Sequence, residues 1–414
     1  MEGARVNLSA EEEDLPRLAV VVDIGVERIS GGMLLLYRLL SQYPRNRLCV
    51  VYDPSQSPAN LSDRLPGVVY HPLPLRIPKW VRNRLNPFWP LAASVWARGQ
   101  ADQLLKRLEK FQPDAILSMP HWYLWFAADT AAKRLRVPLH LIVHDDWSCY
   151  TTFRRPGWLP DLVRWGCRKV MLPVYRRAAS RLCISPGMVE QYRQWFGVNG
   201  TVLYPSRGDD SPPGKVRVRE KTGGPAIVAF CGDIHLSGTA DLLRQLADAL
   251  ILRDGFVDLY SRSTPSSLTA VGLDRPNVRL HGFFPASEMG ERVARSAHCL
   301  FLPASFDLRE RTDVATLFPS KLADYTAIGL PILIWGPAYS SAARWAACNP
   351  AAAALVTTKD AGQAVSAVER FATDQNHAMQ VAAAGLAAGK LYFDPAKARQ
   401  ILLSALLGHF SQKL

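Results

Sequence analysis

The chain has no apolar run approaching the roughly 18 residues that a membrane-spanning helix requires, so no span is expected. Its seven cysteines (49, 149, 167, 183, 231, 299 and 348) are scattered, with no C-x-x-C pair. That excludes a disulfide framework and a structural zinc site of the usual spacing, and it suits a reducing cytosol. The dinucleotide fingerprint G-x-G-x-x-G is absent; a bare Gly31-Gly32 pair stands after the first apolar run. No D-x-D follows a strand, since Asp145 and Asp146 are adjacent. Glu11, Glu12, Glu13 and Asp14 precede the first apolar run, unlike a cationic secretory signal, and residues 1–16 read as a frayed tail. What remains is ordinary for a globular protein: 414 residues, 48% hydrophobic and 21% charged, enough for two or three domains.

The net charge of +13 is uneven. Residues 1–206 carry 27 Lys and Arg against 17 Asp and Glu, and residues 207–414 carry 22 against 19. A basic half suits nucleic acid, an anionic membrane surface or a phosphate-bearing lipid. No nucleic-acid-binding motif occurs, so no nucleic-acid partner is expected. Trp80, Phe88, Trp89 and Trp96 interleave with Lys79, Arg82 and Arg84. Arg154, Arg155, Trp158, Arg164, Trp165, Arg168 and Lys169 repeat the mixture. Buried aromatics with solvated arginines account for it; so does binding at an anionic membrane surface.

Strands alternate with helices, which predicts parallel sheets. Strands are predicted at 18–23, 48–52, 115–118, 139–143 and 181–185, the last closing the first half. Helices are predicted from just after the Gly31-Gly32 loop through Leu40, and at 127–136 and 188–196. Residues 204–224 are rich in Pro, Gly and charge and read as a linker. A second series follows, with strands at 226–230, 257–260, 278–281, 299–303 and 332–334. Helices are predicted at 364–373, through the Ala-rich stretch beyond it, and at 395–412.

The segment Leu317–Pro337, LFPSKLADYTAIGLPILIWGP, is the most informative. Pro319 suits a first helical turn, and Ser320 and Lys321 fall where free N–H groups and the helix dipole favour an anion. Asp324 follows one turn later. Gly329 ends the helix, and Pro331 prevents its continuation before a buried strand. A Lys for phosphate and an Asp for ribose hydroxyls at the carboxyl end of a parallel sheet suit a nucleotide. A plain αβ unit with a solvated Lys and Asp would show the same elements.

The string F-P-S-K-L-x-D-Y-x-A-x-G-x-P-I-L resembles the donor-site signature of GT-B glycosyltransferases, of the retaining family 4 type. The resemblance implies an α/β protein with two Rossmann-like parallel-sheet domains facing a central cleft. Its expected layout is an acceptor-binding domain at 17–203, the linker, and a donor-binding domain at 225–394. A final helix at 395–414 would pack back on the first domain. The implied partners are a nucleotide-sugar donor and a glycan or lipid-linked acceptor, with no cofactor and no required metal. The implied setting is bacterial polysaccharide or glycoconjugate assembly, in the cytoplasm or at the inner face of the membrane.

On that resemblance Asp324 binds the donor ribose, and Ser320 and Lys321 face the diphosphate. Gly232, in FCGDIHLSG, fits the family pattern, but the usual basic pair near it is missing and Asp233 and Ser237 stand instead. Lys321 and Arg262 are the expected substitutes, because cations neutralise a departing diphosphate. The first of the family's paired acids would fall at Thr316. Asp307, Glu310 and Asp313 are candidates for its role, Asp307 being favoured. Gly336, with Pro337, Tyr339, Ser340 and Ser341, is expected to close over the nucleotide. In the first half, Gly31 and Gly32 are expected against acceptor and donor phosphate, although turn chemistry alone would explain them. His144, in VHDDW, is the expected group at the reaction centre, while Asp145 or Asp146 could equally serve as a helix N-cap. His121 and Asp145 are expected to face the acceptor. Rival readings are an epimerase or phosphorylase on the same fold, a non-catalytic relative, and a nucleic-acid binder resting on charge alone.

Overall fold

The computed structural model describes residues 15–29, 31–56, 61–75, 77, 85, 88–148, 157–209, 213–218, 224–234, 237–284 and 286–408. The chain divides into two compact units. One runs to Leu203 and takes in the residues from Ala396 on; the other is Tyr204–Pro395.

The first unit is built on seven strands: β1 (Leu18–Val22), β2 (Leu48–Tyr52), β3 (Val69–Pro72), β4 (Ala115–Ser118), β5 (Leu139–Val143), β6 (Ser180–Cys183) and β7 (Thr201–Val202). They pair in the order β3-β2-β1-β4-β5-β6-β7, every pair parallel. β1, β2, β4, β5 and β6 are buried along their whole length, as expected where helices cover both faces. The second unit holds β8 (Ile227–Cys231), β9 (Phe256–Tyr260), β10 (Val278–Leu280), β11 (Cys299–Pro303), β12 (Ile332–Trp335) and β13 (Ala354–Val356). Their order is β10-β9-β8-β11-β12-β13, again all parallel. Val228, Phe230, Leu243, Leu246, Phe301 and Trp335 are among the residues of its core.

The central strands and the edge strand β10 lie where the sequence predicts them, and the other three edges, β3, β7 and β13, do not. β6 is not the last strand of the first unit: the two-residue β7 follows it, too short to leave a periodic signal. β3 reads Val-Tyr-His-Pro and is partly exposed at a sheet edge, so it lacks an apolar run. β13 is concealed within an Ala run. The predicted C-terminal helix at 395–412 spans Pro395–Leu406; Gly408, at φ +72°, lies just beyond its end, and residues 409–414 lie outside the described residues.

Two predicted flexible stretches are tied down where they are described. Of the tail, Leu15 and Pro16 are anchored by Arg47 Nη1, 2.6 Å from the Leu15 carbonyl, and by the Tyr43 hydroxyl, 2.5 Å from that of Pro16; residues 1–14 lie outside the described residues. Of the linker, Tyr204 packs its ring on Phe318, Tyr392 and Phe393, and Arg207 meets Asp394. Further on, Gly214 N–H donates to the Ala327 carbonyl and Arg217 N–H to that of Gly329.

That strap makes Gly329 a critical position. Its φ is +86°, and a Cβ there would overlap the Lys215 carbonyl. Gly408 has a similar φ, +72°, but open space around it. Gly329→Ala is therefore expected to cost about 3 kcal/mol, and Gly408→Ala only about 1 kcal/mol of backbone strain. Urea unfolding of both variants checks this; equal losses would contradict it.

Candidate functional site

Each sheet reverses its strand order once, between β1 and β4 and between β8 and β11. Crossovers leave in opposite directions there, opening a crevice at the carboxyl ends of the strands where ligands bind. Several of the residues predicted from the sequence gather at these two places, one in each unit.

In the first unit, Asp23 follows β1 directly. Its carboxylate accepts the N–H groups of Trp122, Tyr123 and Leu124, at 3.0–3.2 Å. Leu124 opens the helix Leu124–Leu135, which is therefore capped from another strand rather than by its own N-cap, Tyr123. This is why the helix starts before the predicted Ala127. Burial pushes the Asp23 carboxyl up to about 6, against the lowering effect of the Leu124 and Tyr123 bonds and of nearby His121. His121 and His144, beyond the ends of β4 and β5, face each other with ring centroids 5.9 Å apart. One carboxylate oxygen of Asp145 lies 3.1 Å from Nδ1 of both. Burial holds the His144 imidazole below its usual pKa, hence neutral. The loops are locked: Trp147 is fully buried and donates its Nε1–H to the Trp122 carbonyl at 2.6 Å. Gly32 completes the cluster, since a Cβ there would lie 3.1 Å from the His144 ring and 2.9 Å from Ile24.

In the second unit, Gly232 ends β8 with φ +115°. The Lys321 side chain fills the space that a Cβ on Gly232 would need. Its ammonium stands 4.3 Å over the Phe230 ring and 3.2 Å from the Asp233 carbonyl oxygen. Burial lowers its pKa to about 8. Asp233 in turn holds the end of β9: Arg262 N–H donates to its carboxylate at 3.3 Å, and the Arg262 guanidinium lies 3.7 Å from it. That guanidinium also stands 3.9 Å from the Phe283 ring centroid, and Phe283 is half exposed. Lys321 sits in the first turn of the helix Ser320–Ile328, with Pro319 just before that turn rather than in it. Tyr325, on the same helix, accepts the Cys231 N–H at 2.8 Å and fixes the helix to the end of β8.

Residues 39–205 match the glycosyl transferase 4-like domain model. HepE of Anabaena, in complex with UDP-glucose, superimposes with a TM-score of 0.64 at 13% identity, covering 95% of this chain and 100% of that one. Sucrose-phosphate synthase of Thermosynechococcus elongatus gives 0.65 at 14%, over 95% and 99%. No curated protein matches the chain significantly by sequence. The chain therefore has the GT-B fold, and its residues 39–205 resemble a glycosyl transferase 4-like domain.

Within that GT-B fold, Gly32, His121, His144 and Asp145 form one cluster, and Gly232, Asp233, Arg262 and Lys321 form another. Gly31, at φ +53°, opens the helix Gly31–Leu40 and is exposed. Ser320 is exposed at the helix start, and Asp324 is partly buried one turn on. Gly336 has a packing role: a Cβ there would overlap Ala304, in the loop after β11. Ser340 accepts the Ala343 N–H and caps the next helix. Asp307, the favoured acid, spends its carboxylate on the Arg309 backbone and guanidinium, which hold it below the usual range. Glu310 is buried instead, its Oε2 3.1 Å from where a Cβ on Gly238 would stand. Thr316, where the resemblance would place the first acid, is buried and returns its hydroxyl to the Thr312 carbonyl. Asp23 was not singled out in the sequence, because an Asp closing a Val run carries no signal of the helix it caps.

Proposed function

We propose that the chain is a glycosyltransferase moving a sugar from a nucleotide-sugar to a hydroxyl acceptor. The observation that carries this reading is the partly buried cation of Lys321, packed against Gly232 and Phe230. It rises from a helix N-terminus over Gly232, with Asp324 one turn away. A cation of lowered pKa beside free N–H groups is matched to a diphosphate, and Asp324 to ribose hydroxyls. Lys321 and Arg262 then supply the charge for which the missing basic pair would otherwise be needed. HepE, crystallised with UDP-glucose, shares this fold, which favours a nucleotide-sugar over other phosphates. The first unit would hold the acceptor, with His144 and Asp145 at its hydroxyl. The family resemblance favours retention at the anomeric carbon and a hexosyl group, with departure of the diphosphate assisted electrostatically. Bacterial polysaccharide or glycoconjugate assembly is the setting we favour. An epimerase would instead release free nucleotide without an acceptor.

A lipid-linked acceptor at an anionic membrane face fits the helix Trp158–Arg177. Val163, Cys167, Met171 and Val174 form its buried face. On the opposite face Trp158, Leu162 and Trp165 are exposed at 77%, 45% and 58%. Lys169 Nζ lies 5.4 Å from the Trp165 ring centroid. The neighbouring helix Trp89–Arg98 exposes Val95 and Trp96. Aromatics beside basic residues suit headgroup depth. Trp80, Lys79, Arg82, Arg84, Arg154 and Arg155 lie outside the described residues. No helix among the described residues is long and apolar enough to cross a membrane.

Two outcomes are expected. In thermal unfolding against UDP, GDP, ADP and their sugar derivatives, one base class should raise the melting temperature. Asp324→Ala and Lys321→Met should each weaken that nucleotide about tenfold or more. Because the Lys321 ammonium is present below about pH 8 and lost above it, affinity should fall from pH 7 to 9, and Lys321→Met should abolish that fall. A folded protein that responds to no nucleotide would favour the non-catalytic reading. Secondly, vesicles containing phosphatidylglycerol should retain the wild type, and a Trp158→Ser/Trp165→Ser variant should bind them at least tenfold less; equal retention would remove the membrane from the account.

A further inference from the structure

The cluster of His121, His144 and Asp145 has a feature that acceptor binding does not use. The carboxylate oxygen Oδ2 of Asp145 lies 3.1 Å from Nδ1 of His121 and 3.1 Å from Nδ1 of His144. With His121 the pair has hydrogen-bond geometry. With His144 it does not: that Nδ1 is shielded from solvent and has no hydrogen-bond partner. A carboxylate oxygen and a neutral ring nitrogen at this distance, with no proton on the line between them, repel one another. A cation in the angle between them reverses that sign.

The spacing fits three atoms bound directly to one ion. Donors about 2.0–2.2 Å from a tetrahedral ion stand about 3.3–3.6 Å from each other. Here all three donor atoms lie within 4.8 Å of one another. The scaffold is rigid. Tyr192 donates its hydroxyl to the Asp145 carbonyl at 3.3 Å, and the Trp147–Trp122 bond joins the loop of His144 to that of His121.

We propose that His121, His144 and Asp145 form a binding site for a divalent transition cation of the zinc class. Two imidazoles and one carboxylate select such an ion over Mg²⁺ or Ca²⁺, which prefer all-oxygen sets. Three protein ligands leave a coordination position open, which would accept an oxygen ligand such as a hydroxyl. The site lies at the carboxyl edge of β4 and β5, so occupancy would change what that edge presents. Cation binding does not depend on the transferase reading and is measured without turnover.

The test is calorimetric titration of the chelator-stripped full chain with Zn²⁺, alongside Mg²⁺. One Zn²⁺ per chain is expected, with no saturable response to Mg²⁺. His144→Gln and Asp145→Asn should each weaken Zn²⁺ at least tenfold, with unfolding of the metal-free variants as the folding control. Ring-nitrogen NMR of the wild type gives a second readout that needs no variant: Zn²⁺ should shift the Nδ1 signals of two of the nine histidines. Absence of saturable binding, unchanged affinity in both folded variants, or shifts spread over other histidines would overturn the proposal. A proton shared between Asp145 and His121 would then be the occupant of the cluster.

Discussion

Every strand pair in both sheets is parallel, so within each unit every strand delivers its carboxyl end to the same edge. At that edge the backbone leaves its ladder and carries unpaired groups into loops. Where the strand order reverses, the loops part and leave a crevice. Both side-chain clusters depend on this constraint. Asp23, His121 and His144 come from three loops far apart in sequence, and Gly232, Arg262 and Lys321 from two loops and the first turn of a helix. The parallel pairing alone brings each set to one place.

Each cluster is then held by a device adapted to its backbone. In the first unit a buried carboxylate, Asp23, takes up three N–H groups of the loop carrying His121 into the next helix. In the second, the missing side chain of Gly232 admits Lys321, and Tyr325 ties the same helix to β8. A lysine desolvated in this way has a lowered pKa, because its charge has given up water and awaits a compensating anion. The same reasoning explains why Asp307 is a poor candidate acid: it already has Arg309.

The amount legible in the sequence follows from which signals are local. Buried central strands such as Leu48–Tyr52 and Ala115–Ser118 are continuous apolar runs and are read to the residue. The segment from Pro319 to Ile334 carries cap, stop and strand in sequence order, and Lys321 and Asp324 fall where its pattern places them. Of the edge strands only β10 was legible; β3 and β7 are too polar or too short to show a period. The cap by Asp23 was not legible because its partners lie about 100 residues away. The packing role of Gly336 and the burial of Glu310 likewise depend on chain that arrives from elsewhere. The matched domain model covers residues 39–205, whereas the most specific motif lies beyond it, at 317–337.

The central claim is that a nucleotide binds the second unit at the carboxyl edge of β8, β11 and β12. Hydrogen–deuterium exchange of the full chain, with and without saturating nucleoside diphosphate, addresses it directly. The account predicts slower exchange in residues 230–234, 260–264 and 319–325. A second opening, of about 560 Å³, lies at the other edge of the same sheet, lined by Gly224, Pro225, Arg253, Gly255 and Asn277. Protection there, with none around Gly232 and Lys321, would contradict the account.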